Sequence, residues 1–222
     1  RASATIARLP VPYSKEKIEK LTEELLDKNG RPECCIRLML SGGGKPDLSE
    51  TTFLILVESL HTFPAECYTK GIKVATINEH RLYPEAKTTC YLPALKAQSP
   101  YGRPAEEAGK INPFEVIYAP DGNVLEASTA NVFIVKDGKL ITPKDGILKG
   151  ITRQVVLELC ANEGETFVDT KVSPSLAVCE KALSLPTLYN ADECFLSASN
   201  KEIMPVVEVD GKKIGNGQVG KI

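Results

Sequence analysis

The stretch Glu126-Ala127-Ser128-Thr129-Ala130-Asn131-Val132-Phe133 decides the fold, together with Leu140-Ile141-Thr142-Pro143 and Ile147-Leu148-Lys149-Gly150-Ile151-Thr152-Arg153 behind it. Ahead of it, Asp121-Gly122-Asn123 predicts a hairpin between residues 114–118 and Val124-Leu125. Within it, Lys136-Asp137-Gly138 predicts a second hairpin between residues 131–135 and 139–141. Glu126 then stands at a strand end, where a carboxylate can point into a cleft. Gly150-Ile151-Thr152 is a glycine-bearing turn that opens a helix through Val155, Val156, Leu159 and Cys160. Backbone N–H groups at such a turn, aligned with the helix dipole, form an anion site.

Working outward, Ser14, Glu16 and the spacing of Ile18, Leu21, Leu25 and Leu26 predict an amphipathic helix ending at Asn29-Gly30. Residues 34–40 and 52–60 read as strands joined by a loop through Gly42-Gly43-Gly44 and Lys45-Pro46-Asp47. A third short strand is expected at residues 72–77, and the polar residues 78–86 suit a link between two lobes. Residues 87–97 follow a helical pattern with Pro93 in the first turn, then residues 99–109 are rich in Pro and Gly. A short helix is expected at 175–183, strands at 194–197 and 203–209, and a turn at Asp210-Gly211; residues 197–200 form a polar turn after the first of these strands. The fold class is α+β with two unequal lobes: residues 1–78, a linker at 79–86, and residues 87–222.

Composition excludes several classes of function. The chain has 222 residues, 42% of them hydrophobic and 25% charged, with a formal net charge of −2. That length buries a sizeable core as one large domain or two small ones. Lys plus Arg (27) nearly balances Asp plus Glu (29) without blocks of like charge, which disfavours nucleic-acid and anionic-membrane partners. No apolar run approaches the ~18 residues of a membrane span. Seven cysteines without a CxxC pair argue against a disulfide framework or zinc ribbon, and are expected to be small buried hydrophobes in a reducing cytoplasm. His61 and His80 each lack a ligand-type residue at i+3 or i+4, so no metal site is expected. Acid-base chemistry then falls to lysine, a carboxylate or tyrosine. The start at Arg1 and the stop after a turn-rich stretch suggest that residues are missing at both ends.

A carboxylate at one end of a site and a phosphate-type anion site at the other suit a flat, phosphorylated, cationic ring. Pyridoxal phosphate has that shape: its ring nitrogen takes an acidic partner, its phosphate takes N–H donors and its aldehyde takes a lysine. The strings EASTANVF, LITP and ILKGITR together resemble the signature of the class IV (fold type IV) pyridoxal-phosphate enzymes, which comprise branched-chain aminotransferases, D-amino acid aminotransferases and aminodeoxychorismate lyases. RASATI near the start and EIMPVVEVDGKKI near the end extend the resemblance over nearly the whole chain.

The resemblance implies a homodimer with the cofactor in the cleft between the lobes. Lys87, in Pro84-Glu85-Ala86-Lys87-Thr88-Thr89, matches the family's Schiff-base lysine, which carries a proton between Cα and C4′ and is expected to be buried with a lowered pKa. Glu126 matches the partner of the pyridine nitrogen, and Leu148 the residue that packs on the ring. Ile151 and Thr152 match the phosphate donors, and Ala198 and Ser199 the second phosphate turn. Tyr91 lies within reach of cofactor or substrate. Ala127 stands where the family usually has glycine, and the family's phosphate-binding arginine is expected upstream of Arg1. The activity implied is transamination between an amino acid, of L-branched-chain type, and a 2-keto acid such as 2-oxoglutarate. A lyase, a D-amino acid aminotransferase and a catalytically silent binding protein on the same scaffold are the alternatives.

Overall fold

A computed structural model describes residues 1–44, 50–98, 113–161 and 176–221. Two compact units result: Arg1–Thr62 with Ala86–Thr88, and Phe63–Glu85 with Thr89–Ile222.

The smaller unit contains helices α1 (Ala2–Ile6) and α2 (Lys15–Lys28) and strands β1 (Cys34–Ser41) and β2 (Thr52–Ser59). Helix α2 starts where the sequence predicts it, because Ser14 Oγ accepts the Lys17 N–H and satisfies an otherwise orphaned donor. It ends at Asn29, followed by Gly30 at φ 71°. Strands β1 and β2 pair antiparallel along their full length, from Cys34 opposite Ser59 to Ser41 opposite Thr52. The Tyr13 ring meets Phe53 edge-on at 5.8 Å, and Thr51 Oγ1 donates to the Pro10 carbonyl at 2.9 Å, fastening the segment before α2 to the hairpin. The loop expected through Lys45-Pro46-Asp47 lies outside the described residues.

The larger unit is built on an eight-stranded sheet. Its elements are α3 (Ala65–Thr69), β3 (Ile72–Ile77), α4 (Leu92–Gln98), β4 (Glu115–Tyr118), β5 (Asn123–Val124), β6 (Asn131–Lys136), β7 (Lys139–Thr142), α5 (Ile151–Ala161), β8 (Ala177–Glu180), β9 (Leu183–Ser184), α6 (Leu185–Tyr189), β10 (Glu193–Ala198), β11 (Glu202–Val209) and β12 (Lys212–Lys213). The strand order is β4-β3-β11-β10-β6-β7-β8, with β12 on β11. Pairs β4/β3, β3/β11 and β7/β8 are parallel and the others antiparallel. Strand β6 shows why the sheet is central. Val132 and Ile134 belong to one hydrophobic cluster and Phe133 and Val135 to another, so the run is apolar throughout because both faces are covered. Phe133 and Phe195 stack at 5.0 Å, beside Val156 and Leu157 of α5. Leu188 of α6 packs in the cluster on the opposite face.

Two of the Asp-Gly signals make the expected turns. Asp137-Gly138 and Asp210-Gly211 take positive φ at both residues (49° and 68°; 52° and 76°) between Lys136/Lys139 and Val209/Lys212 pairs, as the twist of a two-residue hairpin demands. The first predicted hairpin is only partial. The chain does return on β4, with Tyr118 N–H donating to Glu126 O and Leu125 N–H to Tyr118 O at 2.9 Å each, but the ladder partner of β5 is β9.

Three other expectations are corrected. Residues 87–90 are not helical: α4 begins at Leu92, since Pro93 cannot lie deeper in a helix without striking the Thr89 carbonyl. Residues 177–180 form a strand, with Val178 and Cys179 packed in clusters on opposite faces, a period of two. Strand β3, read as part of the smaller lobe, pairs within the large sheet. The Pro/Gly-rich stretch at 99–109 lies outside the described residues. No helix among the described residues is long and apolar enough to cross a membrane.

Buried acids outside the site give a testable alkaline limit. Asp210 accepts from the Thr76 N–H (2.7 Å), the Thr76 hydroxyl (2.8 Å) and the Tyr189 hydroxyl (2.8 Å), tying β3, α6 and the β11–β12 turn together. Burial, reinforced by the bond to Asp210, pushes the Tyr189 phenol from 10.0 up to about 12, and burial pushes the Cys194 thiol from 9.0 up to about 12. Both protons are held more tightly in the folded state, so their stabilisation is full below pH 9 and is lost as pH rises from about 9 toward 12. Melting temperature should fall across that window, and Tyr189→Phe and Cys194→Ala should each flatten the decline. Wild-type slopes in both variants would contradict this account.

Candidate active site

Glu126 owes its position to the chain's return on β4. The Ile117 and Ala127 bridge, the Glu126 and Asn131 bridge and the Ala127 N–H to Ala130 O bond (2.8 Å) fold residues 126–131 into a tight loop that turns the Glu126 side chain inward. The residue is 2% exposed. Its Oε1 accepts from Arg81 Nη1 at 2.9 Å, and its Oε2 accepts from the Leu148 N–H at 2.8 Å and from Asn131 Nδ2 at 3.4 Å. Arg81 is buried with it. A lone buried carboxylate would cost several kcal/mol, roughly, and the guanidinium offsets that cost.

Asn131 connects this carboxylate to the helix that follows. Its Nδ2 also donates to the Leu148 carbonyl at 2.7 Å, so Leu148 is held at both its N–H and its C=O. Its Oδ1 lies 2.4 Å from where a Cβ on Gly150 would stand, which is why position 150 carries no side chain. Helix α5 begins at the next residue. Its first bond runs from the Gln154 N–H to Gly150 O at 3.0 Å, leaving the amides of Ile151, Thr152 and Arg153 ahead of the intrahelical ladder. Ile151 is 80% exposed, so its contribution there is backbone rather than packing.

The helix start is anchored from beneath. Arg153, 2% exposed, donates through Nη2 to the Pro143 carbonyl at 2.9 Å and to Glu180 Oε2 at 2.6 Å. Thr142 Oγ1 donates to Val132 O at 2.8 Å. The β10–β11 turn closes with the Lys201 N–H on Ala198 O at 3.1 Å, leaving Ser199 and Asn200 exposed. Ser197 Oγ is buried without a hydrogen-bond partner among the described residues, and Ser197 is paired with Asn131 across β10 and β6, on the same face.

Of the residues singled out from sequence, Glu126 and Leu148 are in direct contact, and Ile151 and Thr152 follow Leu148 at the head of α5. Ala198 closes β10 and Ser199 opens the turn beyond it, in the same unit. Tyr91 is half-buried, with the Arg81 guanidinium 5.7 Å from its ring centroid. Tyr118 lies in the same cluster, and burial pushes its phenol up. Lys87 belongs to the smaller unit, where its N–H donates to Ser3 Oγ at 2.9 Å and the neighbouring Thr88 Oγ1 is buried without a hydrogen-bond partner among the described residues. The lysine expected to be buried is exposed, in an irregular segment outside any helix or strand.

Arg81, Asn131 and Arg153 were not singled out as site residues. Arg81 is a cation in the polar stretch before Lys87, and nothing local distinguishes it from a solvated one. Asn131 and Arg153 carried a signal: a polar residue opening an apolar strand, and a cation in the first turn of a helix, where the dipole disfavours it. The donor set fits pyridoxal phosphate. An acceptor-only carboxylate suits a protonated ring nitrogen, and a helix start with an orphaned hydroxyl nearby suits a phosphate.

Gly150→Ala tests the arrangement. The added methyl displaces Asn131 Oδ1, which should lower unfolding stability by about 1–3 kcal/mol and weaken cofactor binding. Chemical denaturation and cofactor titration measure the two effects; an unchanged protein would show that Asn131 does not fix Leu148.

Comparison with known proteins agrees with this geometry. A branched-chain-amino-acid aminotransferase of Pseudomonas aeruginosa is 30% identical across 99% of this chain and 70% of its own length. A D-alanine aminotransferase of Bacillus licheniformis is 27% identical across 99% of this chain and 74% of its own. The crystal structure of the Escherichia coli branched-chain amino acid aminotransferase superposes with a TM-score of 0.77 at 29% identity, covering 99% of this chain and 71% of that one. The model of the amino-transferase class IV family matches residues 1–209. With that match spanning the buried Glu126 and the open start of α5, the chain belongs to the class IV aminotransferases.

Proposed function

We propose that the enzyme transfers an amino group between an L-amino acid of branched-chain type and a 2-keto acid such as 2-oxoglutarate, using pyridoxal 5'-phosphate. The carrying observation is the buried Glu126 carboxylate, whose second oxygen shares the Leu148 amide two residues before the glycine that opens α5. When bound, pyridoxal phosphate supplies the electron sink that stabilises negative charge at the substrate Cα. Glu126 would hold a proton on the ring nitrogen. The Ile151 and Thr152 amides and the Ala198-Ser199 turn would hold the phosphate, with the α5 dipole favouring its negative charge. Leu148, its backbone fixed at both N–H and C=O, would line the ring site. Lys87 would supply the amine that attaches the cofactor and the base that moves the substrate Cα proton.

The branched-chain assignment draws support from the names of the Pseudomonas and Escherichia relatives. A homodimer is supported by the small β1–β2 sheet, which leaves an apolar side chain about half exposed on each face, Leu38 on one at 51% and Leu54 on the other at 45%.

The test is absorbance and turnover of purified protein with pyridoxal phosphate, 2-oxoglutarate and a panel of L- and D-amino acids. The wild type should be yellow and should bleach with L-leucine, L-isoleucine or L-valine. Borohydride should trap the cofactor on Lys87 in the wild type and trap none in Lys87→Ala, and Glu126→Gln should lower kcat by about a hundredfold. Turnover of D-amino acids alone would move the assignment to the D-amino acid aminotransferases. Pyruvate released from aminodeoxychorismate without a keto-acid acceptor would move it to the lyases. A colourless protein would overturn it.

A further inference from the structure

A second buried ion pair lies outside the Glu126 network. Glu115 opens β4 and is 2% exposed; Lys201, at the end of the β10–β11 turn, is 5% exposed. Lys201 Nζ stands 2.9 Å from Glu115 Oε2, as an ion pair rather than an aligned hydrogen bond. Glu115 Oε1 accepts from Ser128 Oγ at 3.0 Å, from Thr129 Oγ1 at 2.9 Å and from the Thr129 N–H. The Lys201 ammonium also donates to Thr129 Oγ1 and lies 5.8 Å from the Phe63 ring centroid.

Two charges so deeply buried stabilise a fold no better than an apolar pair of similar volume, so their value lies in the geometry they impose. Here that geometry joins three segments. Ser128 and Thr129 are the second and third residues after Glu126, and Lys201 donates its N–H back to Ala198, closing the turn that carries Ser199. A three-residue turn with Ser199 and Asn200 exposed has little else to fix it.

We propose that Glu115 and Lys201 are positioning residues that lock the Ala198-Ser199 turn to the loop beyond Glu126, and so govern how tightly the phosphate end of the cofactor is held. This rests on the proposed reading of that turn as a phosphate site. Neither side chain is a catalytic residue, because each acts through the backbone it anchors.

The experiment titrates the full chain with pyridoxal phosphate and, separately, with pyridoxal, which lacks the phosphate. Lys201→Met and Glu115→Gln should each raise the Kd for pyridoxal phosphate by about tenfold, leave the Kd for pyridoxal within about twofold, and combine without adding, as partners in one pair do. Thr129→Val removes the hydroxyl that both charges share, at an exposed position, and leaves the ion pair itself in place. It should raise the pyridoxal phosphate Kd by about threefold even if the charge variants fail to fold. Equal losses for both ligands, additive effects, or wild-type affinity in Thr129→Val would overturn the proposal. A wild type that binds neither ligand would overturn the proposed function beneath it.

Discussion

The buried carboxylate of Glu126 is the constraint around which the larger unit is arranged. Burying that charge requires donors from three separate parts of the chain: a guanidinium from the segment before Lys87, an amide from the loop after β7 and a side-chain amide from the start of β6. Each donor has a structural cost of its own. Arg81 must be buried alongside, Leu148 must hold its backbone still, and Asn131 must be met by a glycine at 150. The tight loop, the glycine and the helix start are therefore consequences of one electrostatic requirement.

Two buried ion pairs and one half-buried pair frame this region, with different geometry. Arg81 and Glu126 meet within the network described above. Glu115 and Lys201 meet beneath a turn, and Arg153 reaches Glu180 at the sheet edge formed by β8. None lies within a regular strand pairing, and each joins segments that backbone hydrogen bonds leave apart. In a largely apolar interior, such pairs specify which loop meets which turn, a task that non-directional apolar contact performs poorly.

Local rules made much of the architecture legible. The Ser14 cap, the Asp-Gly turns and the apolar runs of β1, β2, β6, β10 and β11 each encode their conformation within a few residues. The candidate carboxylate and anion site were legible because the sequence places Glu126 just after a predicted strand and Gly150 at the opening of a helix. What escaped depends on distance in sequence. Nothing near Arg81 says that its partner lies 45 residues on, and nothing near Glu115 or Lys201 marks either as buried. Strand β8 reads as a helix in sequence because its four residues are too few to separate a period of two from one of 3.6. The true start of α4 followed from Pro93, whose ring forbids the preceding turn that the periodicity suggested.

The pairing of β3 with β11 bears on how the molecule is made. Val74 aligns with Val209, so a strand synthesised early is completed by one synthesised more than a hundred residues later. The helix start and the loop holding Glu126 emerge from the ribosome before β10 and β11 exist, while β3 offers an unfilled apolar edge. The nascent chain must therefore wait, exposed, for its last strands before the candidate phosphate turn can form. Non-local parallel pairing of this kind is slow to form and leaves apolar strand edges open to association in the interval.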